Sequence, residues 1–231
     1  VEQKKNYFII MAGGKGKRML PYTKNYPKPL LTLVNKPILE HILLKAKSEG
    51  FSKFIFTTNY LEHKINNFFG DGSNWNVKIK YIKESSPLGT AGSLSLLNPK
   101  PKMPFIVCNG DIISEIRFEN LLDFHNRNGA IATMAVKPHE LRNPYGVVEV
   151  NENQIVSLKE KPISKSYINT GVYVFDPLIL KYFLKNKHLD MNTLFQNLIR
   201  QSKKVLAYPA YETWFDIGKP KDLKKAAKKI S

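Results

Sequence analysis

Several groups of residues in this 231-residue sequence have the types and spacing needed to handle phosphate. The densest is Met11-Ala12-Gly13-Gly14-Lys15-Gly16-Lys17-Arg18-Met19, with Pro21 just behind it and Pro27-Lys28-Pro29 further on. Glycines after an apolar run let the backbone approach a phosphate chain and aim N–H groups at it. Arg18 and Lys28 add the positive charge that a triphosphate demands. The pattern is not a dinucleotide fingerprint, because a third glycine and a helix opening directly behind it are missing. Nor is it a P-loop, because no Ser or Thr follows a Gly-Lys pair in the required place. A glycine-rich turn carrying surface lysines is the plain alternative, and the prolines and paired cations weigh against it.

Two further groups lie downstream. Glu84-Ser85-Ser86-Pro87-Leu88-Gly89-Thr90-Ala91-Gly92 offers small residues against which a flat base could lie. Asn109-Gly110-Asp111 follows an apolar run, and Trp214-Phe215-Asp216-Ile217-Gly218 comes much later. Two aspartates at loop ends are the inventory of a Mg²⁺ site, which takes one or two carboxylates with substrate phosphates and water. Singly, each aspartate is more often a turn residue or a helix cap.

The elements that must hold these loops alternate along the chain. Tyr7 to Ala12 is a continuous apolar run of the kind found in buried parallel strands. Residues 37–49 carry apolar positions at helical spacing, with Pro37 at the start and Gly50 just past the end. Strands follow at 53–58, 77–82 and 105–108, with helices at 61–69 and 92–97 between them. This order predicts an α/β fold with a mostly parallel sheet sandwiched by helices. Ligands in such sheets bind beyond the carboxyl ends of the strands, where the loops after the first, third and fourth strands lie. The second half is strand-rich, at 130–137, 146–150, 155–158 and 168–175. Asp176-Pro177 and Met191 to Arg200 open or form helices, and strands at 205–208 and 213–215 precede a basic helix. No repeat or linker interrupts the chain, so one domain over 1–231 is expected.

Taken in order, these segments resemble the sugar-1-phosphate nucleotidyltransferases, whose signature runs G-G-x-G-x-R and then P-K-P. Lys17 departs from it, since many members have threonine there. The resemblance extends from about Tyr7 to about Ala227, and it implies the Rossmann-like mixed sheet of the nucleotide-diphospho-sugar transferase fold, with a sugar-binding second half. It further implies that Ala12, Gly13, Gly14, Gly16, Lys17, Pro87, Gly89, Thr90 and Asn109 contact the nucleotide. Glu84 faces the base edge, Asp111 and Asp216 hold Mg²⁺, and Arg18 and Lys28 serve the triphosphate. Tyr145-Gly146, Glu160-Lys161 and Asn169-Thr170 would take the sugar phosphate, with Lys161 as a point charge and Glu160, Asn169 and the Gly146 backbone for hydroxyls.

A carboxylate at Glu84 accepts two hydrogen bonds from guanine, whereas uracil and thymine offer one N–H. The expectation is therefore GTP with a sugar 1-phosphate, giving a GDP-sugar such as GDP-mannose or GDP-glucosamine, with UTP, CTP or dTTP as alternatives. The similarity is greatest to mannose-1-phosphate guanylyltransferases and to bacterial relatives that handle glucosamine 1-phosphate. Some of these carry an N-terminal regulatory domain, and a chain opening at Val1 rather than Met suits a segment of a longer protein. A catalytically silent nucleotide-sugar sensor would share the glycines but would dispense with Arg18, Lys28 or an aspartate, and all are present.

Bulk properties fit this frame. The net charge of +17 suits a phosphate-rich ligand. The dense lysines at 219, 221, 224, 225, 228 and 229 read as the wet side of a helix, with Leu223, Ala226, Ala227 and Ile230 opposite, so no nucleic-acid partner is expected. There is no run of eighteen apolar residues and hence no membrane span. The lone Cys108 fits a reducing cytoplasm. The five histidines show no ligand or triad spacing, and homo-oligomerisation is left open.

Overall fold

The computed structural model describes residues 2–230. Seven strands form one sheet: β1 (Lys4–Met11), β2 (Phe51–Thr58), β3 (Lys78–Lys83), β4 (Phe105–Asn109), β5 (Ala132–Arg142), β6 (Ile163–Phe175) and β7 (Val205–Pro209). Their order across the sheet is β7-β5-β6-β4-β1-β2-β3. Among these strands β6 alone runs antiparallel to its neighbours, β4 and β5. The chain builds outward from β1 to β2 and β3, then returns to the other side of β1 with β4. That reversal leaves a crevice at the carboxyl ends of β1 and β4.

Alternation along the strands decides which side chains meet which helices. Phe8 and Ile10 point to one face, where α1 (Ile38–Ser48), α2 (Glu62–Phe69) and α4 (Phe118–Asn128) cover them together with Phe54, Phe56 and Ile106. Ile9, Ile55 and Val107 point to the other, against the short α3 (Gly89–Gly92) and α5 (Met191–Arg200). Phe8 alone stands against three rings, those of Phe51, Phe54 and Phe118, at centroid distances of 5.3, 5.6 and 4.8 Å. On the closing helix α6 (Pro220–Ile230), Ala226 is buried while Lys221, Lys224, Lys225, Lys228 and Lys229 are exposed. The wet-face expectation holds there, and the Ile230 side chain lies outside the described residues.

Three local expectations need correction. The helix expected over 92–97 begins earlier, at Gly89, and tightens into a 3-10 turn over Ser93–Leu96. It starts there because the Ala91 and Gly92 N–H groups donate to the Leu189 carbonyl at 2.9 and 3.0 Å. α4 is absent from the elements expected from sequence, although Phe118, Leu121, Leu122 and His125 give it a buried stripe and Gly129 ends it at φ +55°. β5 and β6 also extend past the core to Arg142 and from Ile163. Their ends pair with each other and, with a hairpin of strands Val147–Asn151 and Gln154–Lys159, make an arm exposed to solvent.

Candidate active site

The crevice is made by backbone approaching backbone. Met11 is in register with both Thr57 and Asn109. Beyond it, the Ala12 N–H donates to the Thr57 carbonyl at 2.8 Å, and the Gly110 N–H donates to the Met11 carbonyl at 2.9 Å. A Cβ at Gly110 would stand 2.7 Å from the Met11 oxygen, so only glycine lets the β4 turn lie this close. At Gly13 a Cβ would come within 3.1 Å of Glu84 Oε1, while at Gly14 it would meet nothing within 4 Å. Gly16 adopts φ +59° and its carbonyl accepts the Thr23 hydroxyl at 2.9 Å.

A cleft of about 310 Å³ opens over this floor. Ala12, Gly13 and Gly14 form one wall; Glu84, Pro87, Gly89 and Thr90 form another; Lys28, Asn109 and Asp111 close the end. Ten of the residues singled out from sequence thus surround one space. Glu84 is buried, and burial pushes its carboxyl up, opposed by the Leu88 N–H that donates to Oε2 at 3.1 Å. Asn59, unsuspected from sequence, donates from Nδ2 to the Glu84 carbonyl at 2.9 Å and fixes the turn. Thr57 and Ser93, equally unsuspected, line the cleft with buried hydroxyls that have no protein partner. Gly89 and Thr90 also have a structural role. The Thr90 hydroxyl accepts the Met191 N–H at 2.7 Å and so anchors α5.

The charged end of the cleft is assembled from distant segments. Lys28 sits buried in a 3-10 turn between Pro27 and Pro29, and its ammonium pairs with the Asp111 carboxylate. The short strand Ile112–Ser114 pairs antiparallel with Trp214–Asp216, putting Ile112 opposite Asp216. The Ile217 N–H donates to the Asp111 carbonyl at 2.9 Å, which locks the crossing. The Asp216 carboxyl is held above its usual range, first by burial and then by the Asp111 charge, with Lys28 and Arg18 opposing. A Cβ at Gly218 would lie 3.4 Å from both Arg18 Nη1 and Asp216 Oδ2, so this glycine leaves the two groups room to converge. Among the described residues no three or more His, Cys, Asp or Glu are grouped as metal ligands. Two neighbouring carboxylates suit an ion that draws its remaining ligands from substrate phosphate and water.

The remaining assignments divide. Asn109 packs on Gly171, where a Cβ would be 2.5 Å from Nδ2. Asn169 caps the same turn through the Gly171 N–H at 2.9 Å and reaches Asn192 at 3.3 Å. Thr170 has a buried side chain whose hydroxyl donates to the Ala135 carbonyl at 2.8 Å, so that hydroxyl joins strands. Lys17 is exposed and does not line the cleft. Tyr145, Gly146, Glu160 and Lys161 gather on the exposed arm, where Lys161 pairs with Glu160 at 3.7 Å and none of the four lines the cleft.

A switch-point cleft with a glycine wall, closed by a lysine and an aspartate, lies where doubly wound α/β proteins bind their ligands. The chain belongs to the nucleotidyl transferase family, whose model matches residues 7–231. It is 32% identical over 234 residues to the UTP–glucose-1-phosphate uridylyltransferase of Synechocystis sp., covering 93% of this chain and 60% of the relative. It is 33% identical over 226 residues to mannose-1-phosphate guanylyltransferase 1 of Arabidopsis thaliana, covering 93% and 62%. The chain therefore spans about three-fifths of the length of these relatives. The solved structure of HddC from Yersinia pseudotuberculosis complexed with GMP-PN superposes with a TM-score of 0.74 at 22% identity, over 98% of this chain and all of that one. The fold is the nucleotide-diphospho-sugar transferase fold expected from the sequence, a mixed, mostly parallel sheet between helices. Among the described residues no helix is long and apolar enough to cross a membrane.

Proposed function

We propose that this chain transfers a nucleotidyl group from a nucleoside triphosphate to a hexose 1-phosphate, giving a nucleotide-sugar and pyrophosphate. The observation that carries this reading is the Lys28–Asp111 pair at the end of the glycine-walled cleft, with Asp216 near enough to feel the charges of Asp111, Lys28 and Arg18. A sugar phosphate, with its second pKa near 6, is largely a dianion at neutral pH and needs no base to become a nucleophile. Its oxygen attacks the α-phosphorus; the new O–P bond forms as the bond to the β-phosphate oxygen breaks, and pyrophosphate leaves with the electron pair. The barrier is the repulsion and alignment of two polyanions, so positioning and fixed charge are the main tools. The Gly13-Gly14 backbone and Arg18 orient the triphosphate, while Lys28 places positive charge beside the reacting phosphorus. Asp111 and Asp216 would hold a Mg²⁺, which would neutralise phosphate charge. Lys161 and Glu160 serve the sugar phosphate, which requires the arm to lean toward the cleft.

The nucleotide we favour is GTP, because Glu84, a buried carboxyl lining the cleft, would accept from the two N–H groups of guanine. UTP is the second reading, supported by the similarity to a uridylyltransferase. The lone Cys108, fully buried and free, suits a reducing cytoplasm. Pyrophosphate release with Mg²⁺, crossing the four nucleoside triphosphates with mannose, glucosamine and glucose 1-phosphates, tests the proposal. Turnover with GTP and one sugar is the expected result. Turnover with UTP alone would overturn the role given to Glu84. Silence with every pair, in a chain that still binds nucleotide-sugars, would leave a sensor.

A further inference from the structure

Beside the cleft, two helices that lie far apart in sequence cap one another. α5 opens at Met191 behind Asp190, a residue type that ordinarily caps its own helix by accepting an N–H of the first turn. Here the Asp190 carboxylate makes no such bond. It turns to the cleft wall instead, where Oδ1 accepts the Thr90 N–H at 3.2 Å and the Thr90 hydroxyl at 3.5 Å, across a hundred residues of chain. The same hydroxyl accepts the Met191 N–H at 2.7 Å, so Thr90 gives α5 the acceptor that its own aspartate withholds. Backbone closes the joint, since the Leu189 N–H donates to the Leu88 carbonyl at 2.8 Å and the Leu189 carbonyl accepts from Ala91 and Gly92. Gly89 makes the fit possible: a Cβ there would stand 2.7 Å from the Leu189 oxygen and 2.8 Å from Asp190 Oδ1. One residue further on, α5 meets the strand-rich half. Asn192 Oδ1 accepts from Asn169 Nδ2 at 3.3 Å, and Asn169 Oδ1 accepts the Gly171 N–H at 2.9 Å. Gly171 in turn packs on Asn109, which lines the cleft with Asp111.

We propose that Asp190 and Asn192 are positioning residues, and that the first turn of α5 is a brace setting the nucleotide wall against the sugar side. The inference rests on the nucleotidyl-transfer reading above. Asp190 holds Gly89 and Thr90 in the shape that the nucleotide meets, and Asn192 holds Asn169, the residue given to the sugar. Neither lines the cleft itself, so each acts on substrate binding through another residue and not on the bond that forms or breaks. An N-cap aspartate that leaves its own helix without a side-chain cap forgoes a stabilising bond, and placement of the wall is what its carboxylate achieves instead.

Titration calorimetry of GTP with Mg²⁺, and of UTP beside it, tests Asp190 without any turnover. In Asp190→Ser the hydroxyl is an equally good cap for α5 but lies a bond nearer the backbone and does not reach the Thr90 N–H. Its melting midpoint therefore stays within about 2 °C of the wild type. Nucleotide affinity falls roughly two- to tenfold, the loss of one hydrogen bond that orders a binding wall. Asp190→Asn keeps the Oδ1 acceptor and restores the affinity. In pyrophosphate release the same loss appears in the KM for nucleotide, while kcat stays within about twofold of the wild type. Asn192→Ala raises the KM for the sugar 1-phosphate roughly two- to tenfold and leaves nucleotide affinity as it was. Wild-type nucleotide affinity in Asp190→Ser, or a wild-type sugar KM in Asn192→Ala, overturns the proposal. So does an affinity loss that Asp190→Asn shares, or one that comes with an earlier melt, because either marks a merely structural role. A wild-type chain that releases no pyrophosphate with any pair refutes the transfer reading instead, and the calorimetric comparison is read apart from it.

Discussion

Gly110 offers the sharpest test of how the cleft is built. In Gly110→Ala the new Cβ would stand 2.7 Å from the Met11 carbonyl oxygen and 3.3 Å from the Ala12 Cα, where ordinary contact begins at 3.4 Å. About 0.7 Å of separation must be found between two backbones already joined by the Gly110–Met11 hydrogen bond of 2.9 Å. Both are backbone, so no flexible side chain can yield. Overpacking of this kind costs about 1–3 kcal/mol. At roughly 2–4 °C per kcal/mol for a domain of this size, the unfolding midpoint should fall by about 2–12 °C. Asp111 is the next residue, so the same shift moves its carboxylate, and a displacement of about 1 Å costs on the order of a hundredfold in rate. Differential scanning calorimetry and pyrophosphate release read the two effects separately. Gly14→Ala serves as the thermal control, because its Cβ meets nothing within 4 Å. A Gly110→Ala protein with the wild-type midpoint would refute the close-approach argument, whatever its activity.

Two further outcomes follow from titratable groups whose protonation the fold shifts. His125 is buried, its Nδ1 lies 2.8 Å from the Thr133 hydroxyl, and burial lowers its pKa from 6.5 to about 4. The unfolded chain therefore binds a proton that the folded one refuses, and stability is lost as pH falls from about 6.5 toward 4, by up to about 3 kcal/mol; urea titrations of the wild type and His125→Gln should show a shallower pH slope in the variant. For Asp216 the sign is reversed, since its folded pKa lies above the usual 3.8 and its charge costs stability at neutral pH, a cost relieved as pH falls through the raised value. Asp216→Asn should hold or raise the midpoint at pH 7 while pyrophosphate release drops by at least about a hundredfold, and a variant that melts earlier would contradict the placement of the two carboxylates.

The helical and strand periods make most of the sheet legible, because Phe8 and Ile9 declare opposite faces by simple alternation. The phosphate loops are legible for a different reason: glycine and proline punctuation marks positions where only particular backbones fit. What escapes lies where partners are remote in sequence. α4 has a buried stripe, but its polar majority hides it beside stronger neighbours. Thr170 reads as a polar residue free to meet a sugar phosphate, yet Trp214 Nε1 donates to its carbonyl at 2.8 Å and the Ala135 carbonyl takes its hydroxyl, both from other strands. Asn59 acts on Glu84 across 25 residues, and nothing local signals it. The arm reads as separate short strands because its pairing continues past the core, where burial no longer imposes a pattern.

The crossing of Ile112–Ser114 with Trp214–Asp216 also bears on how the protein comes into being. Asp111 and Asp216 become neighbours only when a loop of more than a hundred residues has closed. Closing so long a loop is a late event, since non-local pairings form only after their entropic cost has been met by other contacts. Through synthesis and early collapse the Gly-rich loop and Lys28 can already be in place while the second carboxylate is not. The protein therefore spends its folding as an incomplete site and becomes competent in one final step, and refolding followed by activity should lag refolding followed by helix content.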